Sequence, residues 1–285
     1  KMILVTGITG RVGSSASRYL LDNGFSVRGL TRDDQKARES ADLGAEIVVG
    51  DVSEVTTVKN ALKDISTVIL VTGNGAHQFE AECLVARESV ASGVEHIVKI
   101  SSMEAGPDAT APIPASPYKI ERFIQDARLK YTFLRPNFFI QILMLFAHSI
   151  KTLNQFSLPL GKAKTGIIDA DDVGEITARV AMKTPANSSI LGLSGEKLID
   201  FHDVARQISQ VLGREIAYHE QSHEDFHAHL SKVIPSPWHV DAVSRLFVEI
   251  ADGALESLST DARNILGREP NDVAAFMEKN KFVFA

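Results

Sequence analysis

The sequence has a single cysteine, Cys83, in 285 residues, so no disulfide can form within the chain and a fold held by internal bridges is excluded. It has no excess of positive charge: 30 Lys plus Arg against 36 Asp plus Glu give a formal net charge of -6. That argues against broad binding to nucleic acid, whose affinity comes from cations on phosphate. It has no long hydrophobic run. The longest, residues 138–147, is interrupted by Gln141 and falls well short of the roughly 20 residues a membrane-spanning helix needs. Solenoid-period repeats and low-complexity tracts are also lacking. No leader-like pattern precedes the first apolar run, and together with the lone cysteine this gives the expectation of a reducing, cytoplasmic setting without membrane attachment.

What is present reads as an ordinary globular chain, 44% hydrophobic and 23% charged, long enough for one large domain or two unequal ones. Ile3-Leu4-Val5 is a short continuous apolar run, the pattern of a strand covered on both faces. Val12, Ala16, Tyr19 and Leu20 then share one helical face, stopped at Asn23-Gly24. Further strands are predicted over 25–30, 46–49, 67–71, 97–100 and 131–134. Helices are predicted around 35–42, 55–62 and 79–90. A loop carrying Pro107, Pro112, Pro114 and Pro117 precedes a helix over 118–129. Alternating strand and helix imply right-handed crossovers and an α/β, Rossmann-like, doubly wound parallel sheet. After Arg135-Pro136 the rhythm loosens. Helices at 171–182, 201–212 and from Glu224, His239 and Asp272, with strands at 190–193 and 215–219, suggest a smaller α+β substrate-binding lobe. The expected division is 1–136 and 137–285, a soft boundary whose later segments can return to the main sheet.

Gly7-Ile8-Thr9-Gly10-Arg11-Val12-Gly13 lies between the first strand and first helix. Gly7 permits the tight turn, Gly10 lets backbone amides approach a pyrophosphate, and Gly13 lets the helix pack close to the strand. The helix N-terminus favours phosphate charge, and Thr9 adds a hydroxyl. After the second strand an NAD site usually carries an acid that accepts from the ribose. Here Leu30-Thr31-Arg32 stands there, with Lys36 close behind. A guanidinium pairs with a 2′-phosphate, so the charge pattern favours NADP(H), although Asp33 and Asp34 follow at once.

With these features the chain resembles the NmrA-like branch of the atypical short-chain dehydrogenases/reductases. The resemblance is carried by the Gly7–Gly13 turn, Arg32, Val49-Gly50-Asp51, the segment Gly93 to Ser102, the segment Tyr131 to Phe139, and Ile167 to Val173. Glu121 and the segment Ile265 to Pro270 add to it. The resemblance implies bound NADP(H) at the carboxyl ends of the strands. It implies that Asp51 and Val52 flank the adenine and that Thr72 and Gly73 line the ribose and pyrophosphate. Ser101 and Ser102 would lie near the nicotinamide, and Pro136, Asn137 and Phe138 would form the wall beyond it. It further implies hydride transfer from NADPH to a small hydrophobic acceptor such as a quinone, enone or aromatic carbonyl. The alternative is an NADP(H)-binding redox sensor without turnover.

Relatives in the wider superfamily use Tyr-x-x-x-Lys on a helix. Here Tyr118 is followed four positions later by Arg122, which offers its positive charge in place of lysine, while Lys119 sits on a different part of the helix surface. Tyr118 and Lys119 are the candidate catalytic side chains. The stretch 137–146 would supply an apolar pocket wall, with Trp238 and Phe226 as candidates to cover it. His223-Glu224-Asp225-Phe226-His227 matches H-E-x-x-H, but Leu230 and Val233 stand where the extended zinc motif has Gly and His. It reads instead as a polar surface helix opened by a Ser222 cap, and no metal is expected. Ser194 misses the nucleophile elbow because Glu196 replaces its last glycine. Cys83, on an apolar helical stripe, reads as core.

Overall fold

The structure, a computed structural model, describes residues 1–285 apart from 184 and 186. The elements run β1 (Met2–Val5), α1 (Arg11–Asp22), β2 (Ser26–Thr31), α2 (Arg38–Asp42), β3 (Glu46–Val49), α3 (Val55–Ala61), β4 (Ile65–Leu70), α4 (Gln78–Ala91), β5 (His96–Ile100), α5 (Pro112–Asp126) and β6 (Lys130–Pro136). A 3-10 turn over Ile140–Phe146 leads to α6 (Ala147–Leu153) and β7 (Gln155–Leu158). Then follow α7 (Ala170–Ala181), β8 (Ser189–Leu193), α8 (Phe201–Leu212), β9 (Ala217–Glu220), α9 (His223–Val233), α10 (Pro237–Ala251), α11 (Asp261–Leu266), α12 (Val273–Lys279) and α13 (Lys281–Phe284). They form two compact units, one of residues 1–107, 115–135 and 171–191, the other of 108–114, 136–170 and 192–285.

The first unit is built on a seven-stranded sheet ordered β3-β2-β1-β4-β5-β6-β8. The ladders from β3 through β6 are parallel, with Thr31 opposite Val49, Val5 opposite Gly29 and Ile69, Leu70 opposite Lys99, and Ile100 opposite Leu134. This is the Rossmann-like order expected from the alternating pattern. Parallel strands need helical crossovers that cover both faces, which is why Ile3, Leu4 and Val5 are all buried. The register brings the carboxyl ends of β1 to β5 to one edge. The order reverses between β1 and β4, the position where such sheets open a crevice.

Cys83 lies in the sheet-and-helix core with Leu84, Ile97 and Phe133, and burial pushes its thiol up to about 12. It is an inert core residue rather than a nucleophile. Helix α5 starts six residues earlier than the sequence pattern suggests and absorbs Pro112, Pro114 and Pro117. The first two occupy its opening turn, where N–H groups have no helical partner in any case. Only Pro117 is interior.

His96, at the start of β5, is fully buried. Its Nε2 meets Thr132 Oγ1 at 3.0 Å, and burial, with nearby Lys130, pulls its pKa down to about 4. The unfolded chain therefore takes this proton first as pH falls from about 6.5, and stability drops over that window toward pH 4. We expect about 2 kcal/mol lost through this group between pH 7.5 and pH 5. Urea unfolding at both pH values checks it: His96→Gln should flatten that part of the dependence, and an equal slope in the variant would refute it.

The second unit contains the parallel pair β7-β9 and an aromatic core. Phe156 packs against Phe201 and Tyr218, and the Tyr218 hydroxyl donates to Leu158 O at 3.0 Å. Helix α8 opens on a reciprocal cap between Asp200 and Asp203 and closes at Gly213, whose φ of 68° suits glycine. The strand β7 and helices α6 and α11 were not visible in the sequence pattern. Among the described residues, no helix is long and apolar enough to cross a membrane.

Candidate functional site

Thr6 ties the two central strands where they exit the sheet. Its hydroxyl donates to Val71 O (2.8 Å) and accepts from Val71 N–H (3.0 Å). Gly7 follows, and a Cβ there would stand 2.5 Å from Val71 O. The chain then turns through Gly10 N–H to Gly7 O (3.0 Å) into α1. A Cβ on Gly13 would overlap Gly7 O and lie 2.7 Å from its carbonyl carbon. A Cβ on Gly10 meets only Gly7 O, at 3.4 Å. A side chain would thus clash with backbone at Gly7 and Gly13 and only touch it at Gly10. Helix α1 has no side-chain cap, so the amides beginning at Arg11 and Val12 remain for an anion. Thr9, Gly10 and Arg11 are exposed on this rim, and Val12 is buried beneath it.

At the end of β2 the side chains divide their work. Thr31 is buried; its hydroxyl accepts Asp33 N–H (3.0 Å). Asp33 accepts from the amides of Gln35 (3.1 Å) and Lys36 (3.3 Å) and faces Lys36 Nζ at 3.8 Å. One carboxylate oxygen of Asp33 is thus engaged in its own turn. Arg32 is 82% exposed, with Asp51 Oδ2 3.9 Å away. Asp51 accepts from Ser53 N–H (2.8 Å) and Ser53 Oγ–H (2.7 Å). Those bonds, with a smaller contribution from Arg32, hold its carboxyl below the usual range. Val52 packs against the core.

Beyond β4, Thr72 donates to Glu82 Oε1 (2.6 Å), and Gly73 has open space around it. Beyond β5, Ser101 N–H donates to Leu134 O (2.7 Å). The hydroxyls of Ser101 and Ser102 are buried and have no hydrogen-bond partner among the described residues. Orphaned donors of this kind are what a bound polar group would satisfy. Turn, guanidinium and orphaned hydroxyls together fit a phosphorylated dinucleotide along this edge.

Tyr118 is half-buried on α5 and Lys119 is exposed beside it. Arg122, four positions on, donates from Nη1 to Gln125 Oε1 (3.2 Å) on the exposed helix surface. Arg135 is held chiefly by Glu121, which raises its pKa against the cost of burial, and Tyr118 contributes least. Buried Glu121 takes the fork from Arg135, with Nε at 2.9 Å.

In the second unit, Pro136 and Asn137 are buried and Phe138 half-buried. The Asn137 amide donates to Leu255 O (3.0 Å) and its carbonyl accepts Phe138 N–H (2.7 Å). Phe138 stands edge-on to Phe201 and Phe247, and Phe226 packs on Phe247 at 4.7 Å. Trp238 contacts His239 instead. The stretch predicted as a wall is a 3-10 helix in which Ile140 and Leu143 are buried and Leu145 is 76% exposed. His223 and His227 are exposed on α9, whose Ser222 cap accepts Asp225 N–H (3.0 Å). Ser194 donates to Gly195 O and accepts Ser259 N–H, a structural hydroxyl.

Two features escaped the sequence reading. Gly29 leaves room for Ile8, whose Cγ2 would be 2.8 Å from a Cβ there; a glycine inside an apolar strand was its signal. The other is a buried pair, Glu82 and Lys99, signalled by a lysine between Val98 and Ile100.

Known proteins share this architecture along nearly its whole length. The profile of the NmrA-like family matches residues 1–277. An NAD(P)H azoreductase from Xenophilus azovorans is 26% identical over 283 residues, 99% of each chain. A (4-alkanoyl-5-oxo-2,5-dihydrofuran-3-yl)methyl phosphate reductase from Streptomyces griseus is 28% identical over 272 residues, 94% of this chain and 93% of that one. The crystal structure of an NADPH-dependent quinone oxidoreductase from Escherichia coli, in complex with NADPH, superposes with a TM-score of 0.88 at 20% identity, covering 99% of this chain and 100% of that one. A glycine turn at the sheet's reversal, a basic residue after β2 and a family profile that spans both units lead to one conclusion: the chain belongs to the NmrA-like family.

Proposed function

We propose that the chain is an NADPH-dependent oxidoreductase of the atypical short-chain dehydrogenase/reductase type that reduces small, flat, hydrophobic acceptors such as quinones, enones or aromatic carbonyls. The observation that carries the cofactor choice is the contrast at the end of β2. Asp33 is engaged by its own turn while the guanidinium of Arg32 is 82% exposed. Relatives that reduce azo, butenolide and quinone compounds support the acceptor class.

Bound NADPH would supply the hydride. The amides of Arg11 to Gly13 hold the pyrophosphate, and Arg32, with Lys36, holds the 2′-phosphate. Ser101 and Ser102 supply hydroxyls at the carboxyl end of β5. Tyr118 is the proton donor in this reading, in preference to exposed Lys119, because it is half-buried.

The test is stopped-flow oxidation of NADPH by a panel of quinones, enones and azo dyes. Turnover with at least one class is expected. If none oxidises the cofactor although it binds, the chain is a redox-sensing binding protein instead. Tyr118→Phe should lower kcat about 10- to 100-fold with little change in NADPH affinity, while Lys119→Met should stay within about twofold of wild type. Equal rates for Tyr118→Phe and wild type would remove Tyr118 from the mechanism.

A further inference from the structure

The first unit buries a complete ion pair beside the edge where the cofactor is placed. Lys99 on β5 and Glu82 on α4 are 1% and 0% exposed, with Nζ 2.6 Å from Oε2. The approach is a close ion contact rather than a directed hydrogen bond. Such a pair is costly to bury and seldom adds net stability over well-packed apolar side chains, so its value has to lie in what it holds.

It holds two strand exits. Lys99 Nζ donates to Ile100 O (2.6 Å), the carbonyl directly before Ser101. Glu82 Oε1 accepts from Thr72 Oγ1 (2.6 Å) and from Gln78 Nε2 (3.0 Å). Thr72 follows β4 by two residues. One pair of charges therefore fixes the segments leaving both β4 and β5. It also fixes a polarity. A carboxylate only accepts, so the single proton of the Thr72 hydroxyl is committed to Glu82. What Thr72 can offer a ligand is its lone pairs, which suit a ribose hydroxyl donor and repel a phosphate oxygen.

We propose that Glu82 and Lys99 are positioning residues for the dinucleotide: together they fix the β4 and β5 exits and orient Thr72 as an acceptor for a ribose hydroxyl. This rests on the NADPH reading above.

The experiment measures NADPH affinity by the quenching or enhancement of its fluorescence, together with the unfolding temperature, for wild type, Thr72→Val, Thr72→Ser, the double variant Glu82→Leu with Lys99→Met, and the triple variant that adds Thr72→Val. Replacing both charges avoids stranding one of them in the core. Thr72→Val should weaken NADPH about five- to tenfold, the effect of one lost hydrogen bond, at nearly unchanged unfolding temperature. Thr72→Ser should restore most of the loss. The double variant should weaken NADPH about tenfold or more, and adding Thr72→Val to it should cost less than about twofold. A merely structural pair would change the unfolding temperature and leave affinity alone. The proposal is overturned if Thr72→Val binds NADPH as wild type does, or if its loss is undiminished in the double-variant background. If the double variant does not fold, the Thr72 pair of variants decides: loss in valine with rescue in serine supports the proposal, and no loss refutes it. Wild type that fails to bind NADPH would instead bring down the cofactor reading itself.

Discussion

Gly13→Ala is expected to lose more than about 100-fold in dinucleotide affinity and to unfold about 6–12 °C lower, a destabilisation of about 3 kcal/mol. The added methyl would overlap Gly7 O and sit 2.7 Å from the Gly7 carbonyl carbon. Both are backbone atoms of a turn whose position is fixed by Val71 on one side and by the Gly10 N–H to Gly7 O bond on the other. Relief requires α1 to move away from β1, which shifts the amides proposed above to receive the pyrophosphate. Gly10→Ala is the informative contrast. Its Cβ meets only Gly7 O at 3.4 Å, so unfolding should change by less than about 1 kcal/mol while affinity falls, because the methyl occupies ligand space. Thermal unfolding and NADPH titration of both variants check this. Equal behaviour of the two would refute the separate roles of these glycines.

Arg32→Ala is expected to weaken NADPH about 30- to 100-fold and to leave NADH within about twofold. A charge-assisted bond from guanidinium to phosphate accounts for an effect of this size. The residue is 82% exposed, and Asp51 at 3.9 Å is a loose neighbour whose carboxylate is taken up by Ser53. Removing the side chain therefore leaves no buried charge stranded, and folding should be unaffected. The ratio of affinities for NADPH and NADH, by titration, is the readout. A ratio equal to that of wild type would refute the assignment. Arg32→Lys should fall between, since lysine keeps the charge and loses the planar fork.

The sequence made the parallel sheet legible because buried strands such as Ile3 to Val5 are continuous apolar runs and the crossover helices carry clear stripes. The glycine turn was legible because its glycines are local, and the base after β2 because it is adjacent to its strand. What stayed hidden is whatever the fold assembles from afar. Arg122, four residues from Tyr118, matched a motif by spacing yet points to Gln125. Arg135 is taken up by Glu121, fourteen positions away, a pair that no spacing rule announces. Lys99 stands out between Val98 and Ile100, but only the packing of α4 on the sheet supplies Glu82 as its buried partner. The early start of α5 was masked by Pro112 and Pro114, which mark a loop in sequence but sit harmlessly in its first turn.

Calorimetric titration of the folded protein with NADPH, NADP+ and NADH bears on the central claim most directly. The account predicts saturable one-to-one binding of the phosphorylated dinucleotides, at least about tenfold tighter than NADH. Binding of neither kind at millimolar concentration, or a preference for NADH, would contradict it.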